Sequence, residues 1–303
     1  MLRESDPALA SAAALLSSSL NYRVLRRLDL GDGSLELHAY DAARPLSVAA
    51  ALDVETTGLD VACDKIIELA IRRFAYDEEG RIVRIGRARS WREDPGVPLH
   101  AEITRVTGLT DPDLAGQTID AAEAAAVLTS CRAVFSHNAA FDRPFVERRL
   151  PRAAGLDWGC SLADVDWDEF GFEGRALGWL AAQSGWFFDA HRAAADVDAL
   201  IALLAHAGPD RRTVLASALE GMNRAGWKVS AEGAGFEARH VLKARGYRWD
   251  GRLKEWWREV RDGDVDCERR WLEDHVYAPG MGARRPGPRV QVIHSGNRYS
   301  LPS

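Results

Sequence analysis

A chain of 303 residues with 47% hydrophobic and 28% charged side chains can bury one large core and a smaller one, which excludes a disordered or fibrous protein and puts the expected domain count near two. Mean hydropathy is −0.24, and no apolar run approaches the ~20 residues that a membrane helix needs, so a soluble protein with no membrane partner is expected. The net charge of −6 argues against a passive nucleic-acid coat, because neutralising phosphates takes clustered Lys and Arg.

The opening residues carry Glu4 and Asp6 where a secretory signal has only positive charge, and serines break the apolar stretch that follows, so no export signal is expected. Cys63, Cys131, Cys160 and Cys267 form no C-x-x-C pair. They read as reduced thiols of a cytoplasmic protein rather than as a zinc site or disulfide framework. Charge is uneven along the chain. Residues 223–303 hold sixteen Lys/Arg against eleven Asp/Glu, a balance of +5 that leaves −11 for the 222 residues before them. The acid excess is either solvated surface or, in part, carboxylates gathered to hold metal ions.

In chain order, residues 8–28 suggest a helix, Gly31-Asp32-Gly33 a turn and Ser34 to Ala39 a short strand, together an N-terminal appendage over 1–45. From Leu46 the pattern changes. Val48 to Val54 is an apolar run of strand length, Ile66 to Tyr76 a second strand and Arg81 to Trp91 a third, an antiparallel meander. Thr118 to Ser130 reads as a helix, Ala133 to Ser136 as a buried strand, Phe141 to Leu150 as a helix, and Arg175 to Gln183 and Ala193 to Ala207 as two more, stopped by Gly208-Pro209. A meander followed by alternating strands and helices gives a mixed α/β sheet over 46–207.

A helical connector over 208–222 leads to a compact unit over 223–277. There Gly246 to Trp257 carries a hairpin signal around Asp250-Gly251, flanked by helices at Phe236 to Ala244 and Asp266 to Val276. The basic tail 278–303, rich in Pro and Gly, is expected to be partly disordered.

Three acidic signals fall at element ends within 46–207. Asp53-Val54-Glu55 closes the first strand, and alternation puts both carboxylates on one face. Such a pair alone could be a strand leaving the core. Asp142 follows Ser136-His137-Asn138 in the first turn of a helix that Pro144 requires to begin just before it, where a carboxylate could simply complement the helix dipole and Asn138 could cap. His191 and Asp196, five residues apart, would lie about 140° apart on one helix. They can face one site if His191 precedes the helix. Asp198 is expected to be a solvated decoy on another face.

In the order D-x-E, N-x-x-x-D, H-x-x-x-x-D, these segments resemble the DEDDh-type 3′–5′ exonucleases, the superfamily of the proofreading subunit of DNA polymerase III, RNase T and oligoribonuclease. Leu52 to Asp60 matches the first motif, Ser136 to Asp142 the second and His191 to Asp196 the third, and Ile103 to Thr110 is similar to a segment that precedes the second. Cys160-Ser161 stands where many relatives have Asp-Thr. The resemblance implies an RNase H-like mixed sheet flanked by helices, with a small α+β C-terminal domain added.

It also implies two Mg²⁺ or Mn²⁺ ions, which agrees with hard oxygen ligands and with four carboxylates that would otherwise repel. Asp53, Glu55 and Asp196 would hold the nucleophile-side ion, Asp53 would bridge to the second, and Asp142 would bind that one directly or through water. His191 would take the proton of the attacking water. Thr56, Thr57 and Leu59 would hold the terminal nucleotide, with Leu59 similar to a base wedge, and Asn138 would meet its sugar or phosphate.

The implied activity is removal of nucleoside 5′-monophosphates from the single-stranded 3′ end of DNA, with a polymerase or repair protein as partner. Shared catalytic residues leave RNA open as substrate, and a non-catalytic binding module of a repair complex is the reading from another class. Trp227, Trp249, Trp256, Trp257 and Trp271, interleaved with Lys and Arg, suit single-stranded nucleic acid. A small domain must also fill its core, so a mixture of buried tryptophans with Trp249 or Trp257 exposed is expected.

Overall fold

A computed structural model describes residues 6–38, 40, 44–278, 282, 283 and 287–301, and the chain divides into two compact units, 1–222 with 299–303, and 223–298. The first unit opens with α1 (Pro7–Ser17), β1 (Arg26–Arg27) and β2 (Leu35–Glu36), then the long meander β3 (Ser47–Thr56), β4 (Ile66–Tyr76) and β5 (Ile82–Arg92). Helices α2 (Ala101–Thr107), α3 (Asp111–Leu114) and α4 (Ala121–Thr129) lead to β6 (Ala133–Ser136), α5 (Ala139–Arg149), β7 (Trp158–Cys160), α6 (Leu177–Gln183), β8 (Trp186–Phe187), α7 (Ala193–Leu204) and α8 (Val214–Asn223).

The main sheet runs β2-β5-β4-β3-β6-β7, antiparallel through the meander and parallel from β3 to β7. Such a sheet must be covered on both faces, and β3 shows how. Ala49 and Ala51 join the cluster containing Leu180, Val197, Leu200 and Leu215 of α6, α7 and α8, while Ala50, Leu52 and Val54 join Ala124, Leu128, Phe145 and Val146 of α4 and α5. By strand parity Asp53 and Glu55 therefore face α7.

The N-terminal helix ends at Ser17, eleven residues short of the expected end, because none of its residues is buried and nothing packs to extend it. Beyond it the chain turns extended, and Arg26–Arg27 pairs in parallel with Trp186–Phe187. The strand expected at Ser34 to Ala39 is only Leu35–Glu36, and Ala39 lies outside the described residues. The connector is an integral helix, since Val214, Leu215, Ala218 and Met222 of α8 are buried in the first unit's core.

The second unit contains β9 (Gly226–Ala231), α9 (Arg239–Ala244), β10 (Arg248–Asp250), β11 (Glu255–Arg261), α10 (Val265–His275) and β12 (Arg289–Ile293), with sheet order β10-β11-β9-β12. The expected hairpin is β10-β11. Strand β9 passed unread because Gly226-Trp-Lys-Val-Ser-Ala231 lacks clean alternation. The tail is not wholly irregular: β12 pairs along β9 from Ser230 to Gly226, and Tyr299 packs on the first unit's core with its hydroxyl donating to Asp164. Its Pro279, Pro286 and Pro302 lie outside the described residues. Among those residues no helix is long and apolar enough to cross a membrane, and all four cysteines are free thiols.

Candidate active site

The site forms where β3 outruns β6. Their parallel ladder ends at Ala51 and Phe135, leaving the last groups of β3 without a strand partner on the β6 side. Side chains fill the gap: the Ser136 hydroxyl donates to the Leu52 carbonyl at 2.7 Å, and the Val54 amide donates to the Asp142 carboxylate at 3.2 Å. The β3–β4 register then slips between Glu55 and Thr56, a bulge of the kind that re-aims side chains near functional sites.

From the other side α7 delivers Asp196. His191 precedes the helix with φ of 64°, and Arg192 is its N-cap. The Asp196 carboxylate accepts from the Arg192 amide at 3.0 Å, which ties the His191 turn to the helix. Oxygens of Asp53, Glu55 and Asp196 all lie within 4.8 Å of one another.

Crowding these acids has a cost that shows in their proton affinities. Burial, then Asp142, Asp196 and Glu55, hold Asp53 well above the carboxylate range. Burial and then Asp196 and Glu68 push Glu55 up to about 8, against the pull of Arg192. Asp142 is raised chiefly by burial, and burial pushes Asp196 to about 6 although the Arg192 amide and His191 pull it down. Like charges forced together in low dielectric behave this way, and a divalent cation relieves them. The donor set is all carboxylate oxygen, which suits Mg²⁺ or Mn²⁺ and not zinc.

A cleft of about 630 Å³ contains every residue singled out in the sequence: Asp53, Glu55, Thr56, Thr57, Leu59, Asn138, Asp142, His191 and Asp196 all line it. Leu59 is 86% exposed at its rim. Its loop is closed by Asp64, whose carboxylate accepts from the Thr57 hydroxyl at 2.9 Å and the Asp60 amide at 2.8 Å. The Thr56 hydroxyl donates to the Gly58 carbonyl at 2.6 Å, so both threonine hydroxyl protons are committed to shaping the loop.

Sequence reasoning missed Glu68. It lies opposite Glu55 on β4 and is buried; its carboxylate accepts from the Ala193 amide at 3.0 Å and lies 3.6 Å from the Arg192 guanidinium. The signal was available as an acid at the α7-facing parity of β4, four residues before Arg72 on the same face. His137 was also given no role. Its Nδ1 meets the Ser161 hydroxyl at 2.8 Å and its Nε2 the Arg175 carbonyl at 2.8 Å, so Nε2 carries the proton, and burial lowers its pKa. Ser161 thus has its partner, and Cys160 Sγ accepts from the Ala139 amide at 3.3 Å. The cleft is also lined by Ile103 and Val106 of α2, within the segment similar to the one that precedes the second motif, by Phe141 of that motif, and by Leu177, which was given no role.

Two local expectations need correction. Helix α5 begins at Ala139, so Pro144 is an interior residue and not a first-turn one, and Asn138 reaches φ of 92° without a side-chain cap. The Cys160 contact to the Ala139 amide satisfies the helix start instead. Asp198 is no solvated decoy: it pairs at 2.8 Å with Arg72, which is 1% exposed. Arg72 also donates to the carbonyls of Gly86 and Gly33. Glu68 and Arg72 share a strand face and together anchor α7 to the sheet.

Residues 50–204 match the family model described as RNase T, exonuclease. No curated protein matched in the comparison. Among solved structures the chain is similar to zinc-bound E. coli exonuclease I with single-stranded DNA, at 16% identity and a TM-score of 0.45 over 82% of this chain and 63% of that one. It is similar to E. coli exonuclease I with a dA16 oligonucleotide at 15% identity and a TM-score of 0.48, over 82% and 64% of the two chains. Against exonuclease X in complex with 5′-overhanging duplex DNA the figures are 19% and 0.38, over 55% and 99%. The chain thus spans about 63% of the length of the exonuclease I chains. With the family model covering its catalytic unit and each motif residue in one cleft, the chain belongs to the exonuclease family, in the DEDDh-type 3′–5′ superfamily.

Proposed function

We propose that this protein is a metal-dependent 3′–5′ exonuclease that removes nucleoside 5′-monophosphates from a single-stranded DNA end. The observation that carries the proposal is the convergence of Asp53, Glu55 and Asp196 oxygens within 4.8 Å of one another, in a cleft that also holds Asp142 and His191. Asp53, Glu55 and Asp196 would hold one divalent ion, and Asp53 with Asp142 a second. Bound there, Mg²⁺ or Mn²⁺ would supply charge neutralisation at the attacking and leaving oxygens of the phosphodiester.

The chain's own groups do the rest. His191, exposed on its positive-φ turn, accepts the proton of the attacking water. The Asp196 bond to the Arg192 amide and the Glu68 bond to the Ala193 amide hold that turn against β4. Leu59, Ile103, Val106 and Phe141 offer an apolar wall for the terminal base, and Asn138 offers its amide to the sugar or phosphate. The hydroxyl protons of Thr56 and Thr57 are already donated within their loop, so neither threonine donates to a ribose 2′-hydroxyl, and DNA is the substrate proposed. A polymerase or repair protein is the partner such trimming would serve.

Digestion of matched 5′-labelled DNA and RNA strands with Mg²⁺, Mn²⁺ or EDTA tests the proposal. The expected result is stepwise shortening from the 3′ end, faster on DNA and absent in EDTA. Equal or faster digestion of RNA would reassign the substrate, and cleavage that persists in EDTA would end the metal-dependent reading.

A further inference from the structure

The second unit presents the opposite chemistry. Helices α9 and α10 cover one face of its sheet, packing Leu242 and Leu272 against Val229 and Val260. On the other face the ladder aligns Arg248, Trp257, Ser230 and Arg289 in a single row across all four strands, since directly paired residues share a face. Lys228, two residues along β9, places Nζ 4.8 Å from the centre of the Trp257 ring, and the Arg248 guanidinium lies 6.0 Å from it.

Charge on this face is unequally satisfied. Arg289 Nη2 donates to both Glu255 oxygens at 2.6 and 2.7 Å, and the Ser230 hydroxyl donates to the same carboxylate at 3.0 Å, so the buried acid is paired. Among the described residues Lys228 and Arg248 make no ion pair within 4 Å; Glu255 and Asp250 act on Lys228 from farther off, and both cations lie beside the indole. Arg248 is exposed and Trp257 half-buried. Cations beside an indole fit a ligand with flat rings and regularly spaced negative charge. An acidic peptide would use the cations and leave the ring idle, and a duplex hides its bases.

We propose that this sheet face is a stacking platform for single-stranded nucleic acid, with a base on Trp257 and the adjoining phosphates on Lys228 and Arg248. The choice of ligand rests on the exonuclease reading above; the geometry does not. The test uses the full chain in EDTA, so that nothing is digested, and follows fluorescence anisotropy of labelled oligo(dT), oligo(U) and a blunt duplex across a salt series.

In K228Q/R248Q the log–log salt slope on oligo(dT) should fall by about 1.4, two contacts at ~0.7 each. Trp257→Ala should weaken binding about 5-fold or more, and Trp257→Phe should retain most of it. The ratio between oligo(dT) and oligo(U) distinguishes DNA from RNA as the natural strand. Unchanged affinity and slope in folded K228Q/R248Q would overturn the platform and leave the face to a protein partner. Hydrolysis of a dinucleotide with Mg²⁺ is read on the same variants. If the unsubstituted chain fails there, the exonuclease reading falls and the binding result stands; normal turnover beside unchanged strand binding fells the platform alone.

Discussion

The cleft of the first unit and the open sheet face of the second use the same construction for opposite charges. In both, alternation along neighbouring strands lines up polar side chains on one face: Asp53, Glu55 and Glu68 on β3 and β4, and Lys228, Arg248 and Trp257 on β9, β10 and β11. In the cleft the charges are buried and alike, so protons are held up to about 8 at Glu55. On the sheet the charges are nearer solvent and rest against an aromatic ring. A buried cluster of one sign is costly until a counterion arrives, whereas exposed charges of one sign are cheap and select their ligand by pattern.

Removing a ligand from the cleft breaks the comparison most severely. Asp53→Ala or Asp196→Ala should lower hydrolysis about 10³-fold or more, the scale on which an electrostatic stabiliser acts. Asp53→Ala should not lower the apo melting temperature, because it relieves repulsion, whereas Asp196→Ala also loses the bond to the Arg192 amide. Near-normal turnover in either would remove the acids from the chemistry. Next in size, Arg72→Met strands Asp198 of α7 without its partner and should cost about 3 kcal/mol of stability, read by denaturant unfolding; no loss would mean that this ion pair adds nothing to the hold of α7 on the sheet.

His191→Ala should cost about 10²-fold in kcat while Mn²⁺ binding is retained, and an unchanged kcat would move the proton acceptor elsewhere. Glu68→Gln keeps an oxygen for the Ala193 amide but loses its charge beside Arg192. It should reduce kcat less than Glu68→Ala does, and equal losses would make the charge the part that matters.

The smallest effect concerns pH. The folded-state pKa values of Glu55 and Asp196 are raised, to about 8 and about 6. Their protonated forms therefore favour folding, and that stability is full below the ordinary carboxylate range and lost as pH climbs through these values. In EDTA the melting temperature should fall by several degrees from about pH 5 to pH 9, and Mg²⁺ or Mn²⁺ should flatten the fall, because an ion at 100-fold its Kd restores about 2.7 kcal/mol. A rising melting temperature in EDTA would contradict the crowding.

Much of the catalytic unit could be read before any coordinates, because its strands are long, apolar and closed by turns. Ile66 to Tyr76 and Ala133 to Ser136 have the same ends in both readings. The motif acids were legible because their order and spacing resemble the DEDDh-type exonucleases; taken singly, each carboxylate also fitted a strand end or a helix dipole. Glu68 was hidden inside a mostly apolar strand, where only its place opposite Glu55 marks it, and that place matters only once α7 is known to lie on that face. Pro144 misled because a missing amide normally belongs to a first turn, whereas here the Cys160 thiol lets the helix start earlier. β12 was invisible for the reason edge strands often are: its alternation is short and lies amid prolines, and only β9 gives it a register.

The account stands or falls on what leaves the cleft. Mass spectrometry of the small products released from a DNA strand with Mg²⁺ should show nucleoside 5′-monophosphates from the unsubstituted chain, and none from Asp53→Asn or in EDTA. Release of nucleoside 3′-monophosphates, or the same products from Asp53→Asn at a comparable rate, would contradict the assignment of Asp53, Glu55, Asp142, His191 and Asp196 as the hydrolytic centre.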